Sequence, residues 1–211
     1  MKITWYSLKP ENVLVDKDGY LKITDFGLAK ENVNATSGAK TVCGTPEYLA
    51  PEVLKNKSYG RAADWWSFGW IVYEMLVGIP PFYSTNRDQM FKNILNHEPD
   101  YPSNLSDDAI DMIDNLLQKD PNDRLGSCEL DAEVIMNHKW FEWINWDTLY
   151  SKKLNPPFKP NLMEDGLNYF DEEFTSEDIK YHLQNISPEV SNKSLSDEFS
   201  GKLTIYLNLN A

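Results

Sequence analysis

Two oxygen-bearing side chains, Asn12 and Asp25, flank a segment with the pattern of a β-hairpin. Residues 12–16 and 20–24 are short β-prone runs, and the Lys-Asp-Gly between them is typical of a turn. Because folding at the turn brings the two open ends together, we expect Asn12 and Asp25 to lie close in space. Amide and carboxylate oxygens are ligands that Mg²⁺ accepts. The pattern therefore indicates a candidate cation site at the open end of the hairpin.

The elements that follow this hairpin are predicted to be a long loop and then a mostly helical body. Residues 28–50 are rich in Gly, Thr, Ser, Asn and Pro, and a helical pattern resumes only near Arg61. The last predicted helix has Ser106 as its N-cap and a continuous apolar face. The predicted helices cover residues 62–77, 87–96 and 107–118.

From about residue 154 the composition changes to one that cannot build a core of its own. Residues 155–160 read Asn-Pro-Pro-Phe-Lys-Pro, and residues 164–178 contain seven acidic side chains and no basic one. Such a segment lies on another surface or stays disordered. We therefore expect an extended, acidic C-terminal tail.

The composition argues against several classes of partner and site. With 33 acidic and 20 basic residues in 211, the net charge is −13, which repels nucleic acid and anionic membrane surfaces but suits a cationic peptide. Two cysteines without Cys-X-X-Cys spacing disfavour a zinc site. The longest apolar stretch, residues 65–79, is short for a bilayer span and contains Glu74. We expect a cytoplasmic protein with no nucleic-acid partner and no direct membrane insertion.

Three short motifs occur in the order in which protein kinases carry their landmarks. LKPEN at residues 8–12 resembles the catalytic loop, DFG at 25–27 the metal-binding motif, and APE at 50–52 the end of the activation segment. Each motif alone is weak evidence, but the three in this order and spacing leave little room for chance. Residues 40–48 and 168–174 are most similar to the AGC group, and within it to protein kinase B and the serum- and glucocorticoid-regulated kinases.

The resemblance implies that this chain serves phosphoryl transfer from ATP to Ser or Thr of protein substrates with basic motifs. Asp25 would be the principal Mg²⁺ ligand and Asn12 the second, so that both contribute to ATP binding, while Lys9 would contact the transferred phosphate. Glu11 and Glu74 match positions that face a basic residue of the substrate. Because a carboxylate inside an apolar helix needs a partner, a structural ion pair is an equally open interpretation of Glu74.

The same resemblance assigns architectural and regulatory positions. Asp64 would anchor the backbone of the catalytic loop, and Glu52 with Arg124 would tie the end of the activation segment to the helical core. Thr41 matches the activation-loop site that an upstream activating kinase phosphorylates, where a phosphate orders a loop by pairing with cations. Ser187, followed by proline, matches a second phosphorylation site in the tail.

The chain departs from the family pattern at the catalytic base. Tyr6 and Ser7 stand where the family has Arg-Asp, immediately before the leucine matched by Leu8. A serine hydroxyl is uncharged near neutral pH and cannot accept the substrate proton effectively, so the expected loss of rate is about 10²- to 10⁴-fold. The Gly-rich loop, the strand lysine and the helix glutamate of the ATP-covering lobe have no counterpart in this sequence, and we expect weak ATP binding.

Two interpretations of this departure stay open. In one, Met1 to Ser7 replaces the true upstream sequence of an active kinase. In the other, the chain is a pseudokinase fragment that acts as a non-catalytic binding module through the Glu11 and Glu74 face. In both, the predicted fold is mainly α, a protein-kinase-like C-lobe over residues 1–141 with a small β-hairpin, followed by an AGC-type tail over residues 142–211, and without the N-lobe.

Overall fold

The core of the computed structural model is built from helices that follow residue 50. The structure describes residues 3–4, 8–27, 30–31, 46–163 and 168–176. Within this part of the chain, no helix is long and apolar enough to cross a membrane. The helices before residue 160 are α1 (Pro51–Leu54), α2 (Ala62–Val77), α3 (Arg87–Asn96), α4 (Asp107–Leu116), α5 (Ala132–Met136) and α6 (Trp146–Tyr150).

The helix predictions are confirmed for the long helices. Both α2 and α3 have the predicted bounds, and α4 begins as predicted but ends two residues earlier, at Leu116. Ser106 is the N-cap of α4, because its side chain accepts a hydrogen bond from the backbone N–H of Ala109 at 3.2 Å. The mostly helical character expected from the sequence is therefore present.

Helix α2 packs closely against α4 to form the core. Trp66 and Trp70 of α2 are fully buried, as are Ile113 and Leu116 of α4. Gly69 lies at the contact, where a Cβ atom would be 2.6 Å from the Cβ of Leu116. The absence of a side chain at this position lets the two helices approach at their present distance.

The side-chain amine of Lys119 is buried beside this core. Its Nζ lies 4.0 Å from the ring centroid of Phe82 and 5.1 Å from that of Trp66, and no described residue offers it a hydrogen-bonding partner. Burial lowers the pKa of Lys119 to about 8; Glu98 opposes this change, and the positive charge of Arg124 adds to it. The two rings stabilise the cation, but they do not replace the water that the amine has lost.

We expect Lys119→Met to raise the melting temperature near pH 7 by roughly 2 °C. The pKa of Lys119 is lower in the folded chain than in the unfolded chain, so between pH 8 and 10.5 the unfolded state binds more protons. The free energy of unfolding of the unaltered chain therefore rises with pH over this interval. The advantage of Met should therefore shrink over that interval. Thermal unfolding across this range checks it, with Lys139→Met, an exposed lysine, as the control. Parallel pH profiles for Lys119→Met and the unaltered chain would contradict the prediction.

The predicted hairpin is confirmed. Strands β2 (Val13–Val15) and β3 (Leu21–Ile23) pair antiparallel, with Leu14 opposite Lys22. The prediction that Asn12 opens the first strand is wrong. Asn12 ends the 3₁₀ turn Pro10–Asn12, because Pro10 sets a helical φ at the start of that turn. The ladder still extends beyond the strands, since the N–H of Thr24 donates to the carbonyl of Asn12 at 2.8 Å.

The segment predicted as a long loop contains short elements in its described residues. Within residues 28–50, strand β4 (Lys30–Glu31) pairs antiparallel with β1 (Ile3–Thr4), and a 3₁₀ turn covers Pro46–Tyr48. Helix α1 begins directly after this segment, at Pro51. Helix α1 precedes the point near Arg61 where a helical pattern was expected to resume. Four residues are too few to show a helical period, so the sequence pattern could not reveal it.

The chain divides into two compact units, residues 1–160 and 161–211. The predicted tail, residues 142–211, therefore begins within the first unit. In the first unit, the hydroxyl of Tyr20 in the hairpin donates to the carbonyl of Leu154, so at this residue the first of the two expected alternatives, contact with another surface, is present. In the second unit, the Asn168 side chain donates to the carbonyl of Asn161 at 2.9 Å, and α7 (Glu172–Thr175) follows.

Candidate functional site

The open end of the hairpin carries the two predicted oxygen ligands. Asn12 is buried, with 7% of its surface exposed, and its N–H donates to the carbonyl of Lys9 at 3.0 Å. Asp25 directly follows Thr24, whose N–H is bonded to Asn12, so the ladder ends with both residues at the same edge. Asp25 is exposed, and its Oδ1 accepts a hydrogen bond from the N–H of Gly27 at 3.2 Å.

The backbone of Asp25 is in an uncommon conformation. Its φ of 61° lies in the left-handed region, which few residues other than glycine adopt. Such conformations cost free energy and are concentrated at ligand-binding and catalytic positions. Asn56, Asp131 and Lys152 also have positive φ, so this conformation describes the bend after β3 and does not by itself assign a role to Asp25.

The hydroxyl of Tyr48 is influenced by several acidic side chains. The hydroxyl donates to Oε2 of Glu74 at 3.3 Å. Burial raises the pKa of Tyr48 far above its usual range, and the negative charges of Glu74, Glu11 and Glu47 raise it further. We call Glu11, Glu47, Glu74 and Tyr48 the acidic cluster. Its three carboxylates come from three separate chain segments; Glu74 is hydrogen-bonded to Tyr48, whereas Glu11 and Glu47 act on it through their charge. Their combined negative charge can attract a cationic side chain.

The position of Tyr48 in the acidic cluster is fixed by α2. The hydroxyl of Ser67 donates to the backbone carbonyl of Tyr48 at 3.0 Å, and the Tyr48 ring lies 5.8 Å from the ring of Trp70, centroid to centroid. These contacts hold the 3₁₀ turn Pro46–Tyr48 on the same helix that carries Glu74. The contribution of Glu47 and Tyr48 was missed from the sequence, although both lie inside a stretch used for the family resemblance.

A buried ion pair joins α1 to the loop after α4. The two terminal nitrogens of Arg124 contact the two carboxylate oxygens of Glu52 at 2.8 and 3.0 Å. Two further N–H groups of Arg124 donate to the carbonyls of Gln118 and Ala62, at 3.1 and 2.7 Å. With 1% and 3% exposure, Arg124 and Glu52 have no access to bulk water, so their charges depend on each other.

The sequence profile of one family, described as the protein kinase domain, matches residues 1–141. The chain belongs to the protein kinase family. Serine/threonine-protein kinase Sgk1 of Fundulus heteroclitus is 49% identical over 180 residues, which are 85% of this chain and 42% of that protein. Human RAC-beta serine/threonine-protein kinase is 47% identical over 178 residues, or 84% and 37% of the two chains.

A third relative gives the same extent of similarity. Sgk1 of Gallus gallus is 48% identical over 180 residues, 85% of this chain and 41% of its own length. The chain thus spans about two fifths of the length of the curated relatives it matches. The expected similarity to the AGC group, and within it to protein kinase B and the serum- and glucocorticoid-regulated kinases, is confirmed.

The remaining predicted residues of the chain are only partly within the described structure. Asp64 is half-buried in the first turn of α2. Lys9, also half-buried, lies directly before the 3₁₀ turn that ends at Asn12. Ser7, at the position of the catalytic base, and the two predicted phosphorylation sites, Thr41 and Ser187, lie outside the described residues.

Glu74 was open to two interpretations, a substrate-facing residue and a structural ion pair. Within the described part of the chain, its carboxylate accepts a hydrogen bond from the hydroxyl of Tyr48. Both interpretations of Glu74 stay predictions.

Proposed function

We propose that this kinase chain serves the transfer of the γ-phosphoryl group of ATP to Ser or Thr in protein substrates with basic motifs. The observation that carries the proposal is the acidic cluster, in which Glu74 accepts a hydrogen bond from the Tyr48 hydroxyl and the negative charges of Glu11 and Glu47 act on the same hydroxyl. Three negative charges that act on the same hydroxyl favour Arg or Lys side chains, and bidentate pairing favours Arg. Family membership supports the reaction class, and the cluster supports the class of substrate.

We propose Asn12 and Asp25 as the residues that hold Mg²⁺ with ATP. When bound, Mg²⁺ would neutralise charge on the phosphates during transfer. Among the described residues no group of three or more His, Cys, Asp or Glu side chains is suited to a metal ion. A small donor set fits Mg²⁺, which usually takes one or two carboxylates and completes its shell with phosphates and water. Lys9 would contact the transferred phosphate.

Ser7 supports a second candidate function, that of a non-catalytic binding module. Serine in place of the catalytic aspartate removes a base worth about 10²- to 10⁴-fold in rate, whereas the acidic cluster does not include that position. Peptide binding can therefore persist where phosphoryl transfer is lost. In this alternative the chain would compete for basic substrates or activators.

The experiment that tests both proposals is binding of an Arg-rich peptide to the purified chain. We expect Glu74→Arg to weaken binding by roughly tenfold or more, because the variant puts a cation where the peptide cation would lie. Fluorescence anisotropy of a labelled peptide measures the dissociation constant, and higher salt should weaken binding to the unaltered chain. Glu133→Arg, at an exposed position on α5, is the matched control for the change in net charge.

Three outcomes separate the candidates. Binding that is lost in Glu74→Arg and kept in Glu133→Arg, with phosphate transferred to the peptide, supports the enzyme. The same binding without transfer supports the binding module, and no binding to the unaltered chain contradicts both. The sequence encoded upstream of the Met1 codon tests the replaced-segment interpretation, which an in-frame stop close upstream on an uninterrupted transcript would contradict.

A further inference from the structure

The hairpin of β2 and β3 has little packing support on its strands. All three residues of β3 are exposed, and in β2 Leu14 and Val15 are exposed while Val13 is half-buried. A two-stranded hairpin without a packed face is marginally stable in water. Contacts outside the two strands therefore have to hold the hairpin in its present form.

Such contacts occur at the hairpin turn, where residues 152–158 cross it. We call this segment the strap. The hydroxyl of Tyr20 donates to the carbonyl of Leu154 at 2.5 Å. The Nζ of Lys152 lies 3.3 Å from Oδ2 of Asp16 and 5.2 Å from the centroid of the Tyr20 ring. A hydrogen bond, an ion pair and a cation–π contact thus join the strap to both sides of the turn.

Gly19 makes the closest approach of the strap possible. Its φ of +92° suits glycine, and a Cβ there would lie 2.2 Å from the carbonyl oxygen of Phe158 and 2.8 Å from the Cβ of Pro156. The obstacle is backbone and a rigid ring, so it cannot move aside as a flexible side chain would. Any side chain larger than hydrogen at Gly19 would therefore push the strap off the turn.

The backbone ladder extends from the turn to the open end. The N–H of Asp16 donates to the carbonyl of Tyr20 at 2.8 Å, the three strand pairs follow, and the N–H of Thr24 donates to the carbonyl of Asn12 at 2.8 Å. A slip of one residue would turn every side chain of a strand to the opposite face. Fixing the turn thereby fixes which residue stands beside Asn12 at the other end.

We propose that the strap holds the hairpin in register, and that Gly19 and Tyr20 are positioning residues for the Asn12 and Asp25 pair. The metal-binding role of that pair rests on the proposed function, whereas the clamping of the hairpin does not. The strap is thus an internal partner of the hairpin, and release of the tail from the turn would loosen the cation site at the far end.

We call the holding of the hairpin by the strap the clamp. Amide hydrogen exchange on the full chain tests it. In Gly19→Ala we expect the Thr24 N–H to exchange roughly tenfold faster and trypsin to cut faster after Lys152, because both depend on the strap. Gly78→Ala is the matched control, since Gly78 has a similar φ of +86° and nothing within 4 Å of its added Cβ. Equal exchange at Thr24 in the two variants would overturn the clamp, as would trypsin cleavage at the original rate in Gly19→Ala.

Tyr20→Phe is the milder second variant, in case Gly19→Ala does not fold. It removes only the hydroxyl that bonds to Leu154, and we expect exchange at Thr24 to rise about threefold. Tyr150→Phe, at a tyrosine that is 88% exposed, is its control and should leave Thr24 unchanged. Unchanged exchange in Tyr20→Phe would count against the clamp even if Gly19→Ala could not be purified.

Paramagnetic Mn²⁺, used as a stand-in for Mg²⁺, tests the positioning role separately. In the unaltered chain Mn²⁺ should broaden the amide signals of residues 25–27, and in Tyr20→Phe the broadening should need more Mn²⁺, whereas Tyr150→Phe should match the unaltered chain. Absence of broadening in the unaltered chain would contradict the metal-binding role in the proposed function. The clamp would then be decided by the exchange rate at Thr24. Equal Mn²⁺ dependence in Tyr20→Phe, with faster exchange at Thr24, would overturn the positioning role alone.

Discussion

Arg124→Leu is expected to lower the free energy of unfolding by about 3–5 kcal/mol. The substitution leaves the Glu52 carboxylate, which is 3% exposed, without the guanidinium that contacts both of its oxygens. It also removes the donors for the carbonyls of Gln118 and Ala62. An unpaired buried charge costs more than the lost contact alone, because the remaining group cannot regain its water. Urea denaturation followed by circular dichroism measures the change.

The double variant Glu52→Leu with Arg124→Leu distinguishes the cost of an unpaired buried charge from the cost of lost side-chain packing. Removing both charges should recover much of the loss, since a buried ion pair replaced by apolar side chains is often close to neutral in stability. Lys139→Leu is the control, because its ion pair with Asp108 is exposed and such pairs contribute little to stability. A single-variant loss as small as that of Lys139→Leu would show that the pair does not anchor α1.

Gly69→Ala is expected to lower the free energy of unfolding by about 1–3 kcal/mol, although glycine to alanine inside a helix ordinarily stabilises it by about 1 kcal/mol. The new Cβ would lie 2.6 Å from the Cβ of Leu116 and 3.2 Å from Cδ2 of Leu117. The Leu116 Cβ is fixed to its backbone, so α2 and α4 would have to separate. Urea denaturation of the variant measures the effect.

The control for Gly69→Ala is Gly60→Ala, just before α2, where an added Cβ meets nothing within 4 Å. That variant should keep the stability of the unaltered chain or gain a little through the reduced freedom of the unfolded state. If Gly69→Ala stabilised the chain as much as Gly60→Ala does, the close approach of α2 and α4 at Gly69 would be refuted.

The sequence predicted those parts of the fold that depend on local patterns. The bounds of α2 and α3, the Ser106 cap of α4 and the hairpin between residues 12 and 24 all follow from apolar period, capping residues and turn composition. The short helix α1 was missed because a single turn carries no period. Local patterns therefore predicted the three long helices and the hairpin, but not the short helices α1, α5 and α6.

The candidate site was predicted through family resemblance where positions match, and missed where contacts join distant segments. Glu11 and Glu74 could be named from the motifs, but the hydrogen bond between Tyr48 and Glu74 joins residues that are 26 positions apart. The contact between Tyr20 and Leu154 spans 134 positions. Neither contact leaves a periodic trace in the sequence, because each depends on how the helices and the tail pack.

The contact of the strap with Gly19 also bears on how the molecule can be engineered. Hairpin turns are ordinarily chosen to carry epitope tags or inserted domains, since exposed loop tips tolerate added residues. Here the turn has a carbonyl oxygen of another segment at the place where even one extra carbon would go. Lengthening this turn would therefore disturb a segment more than 130 residues away, so a label is better introduced elsewhere on the surface.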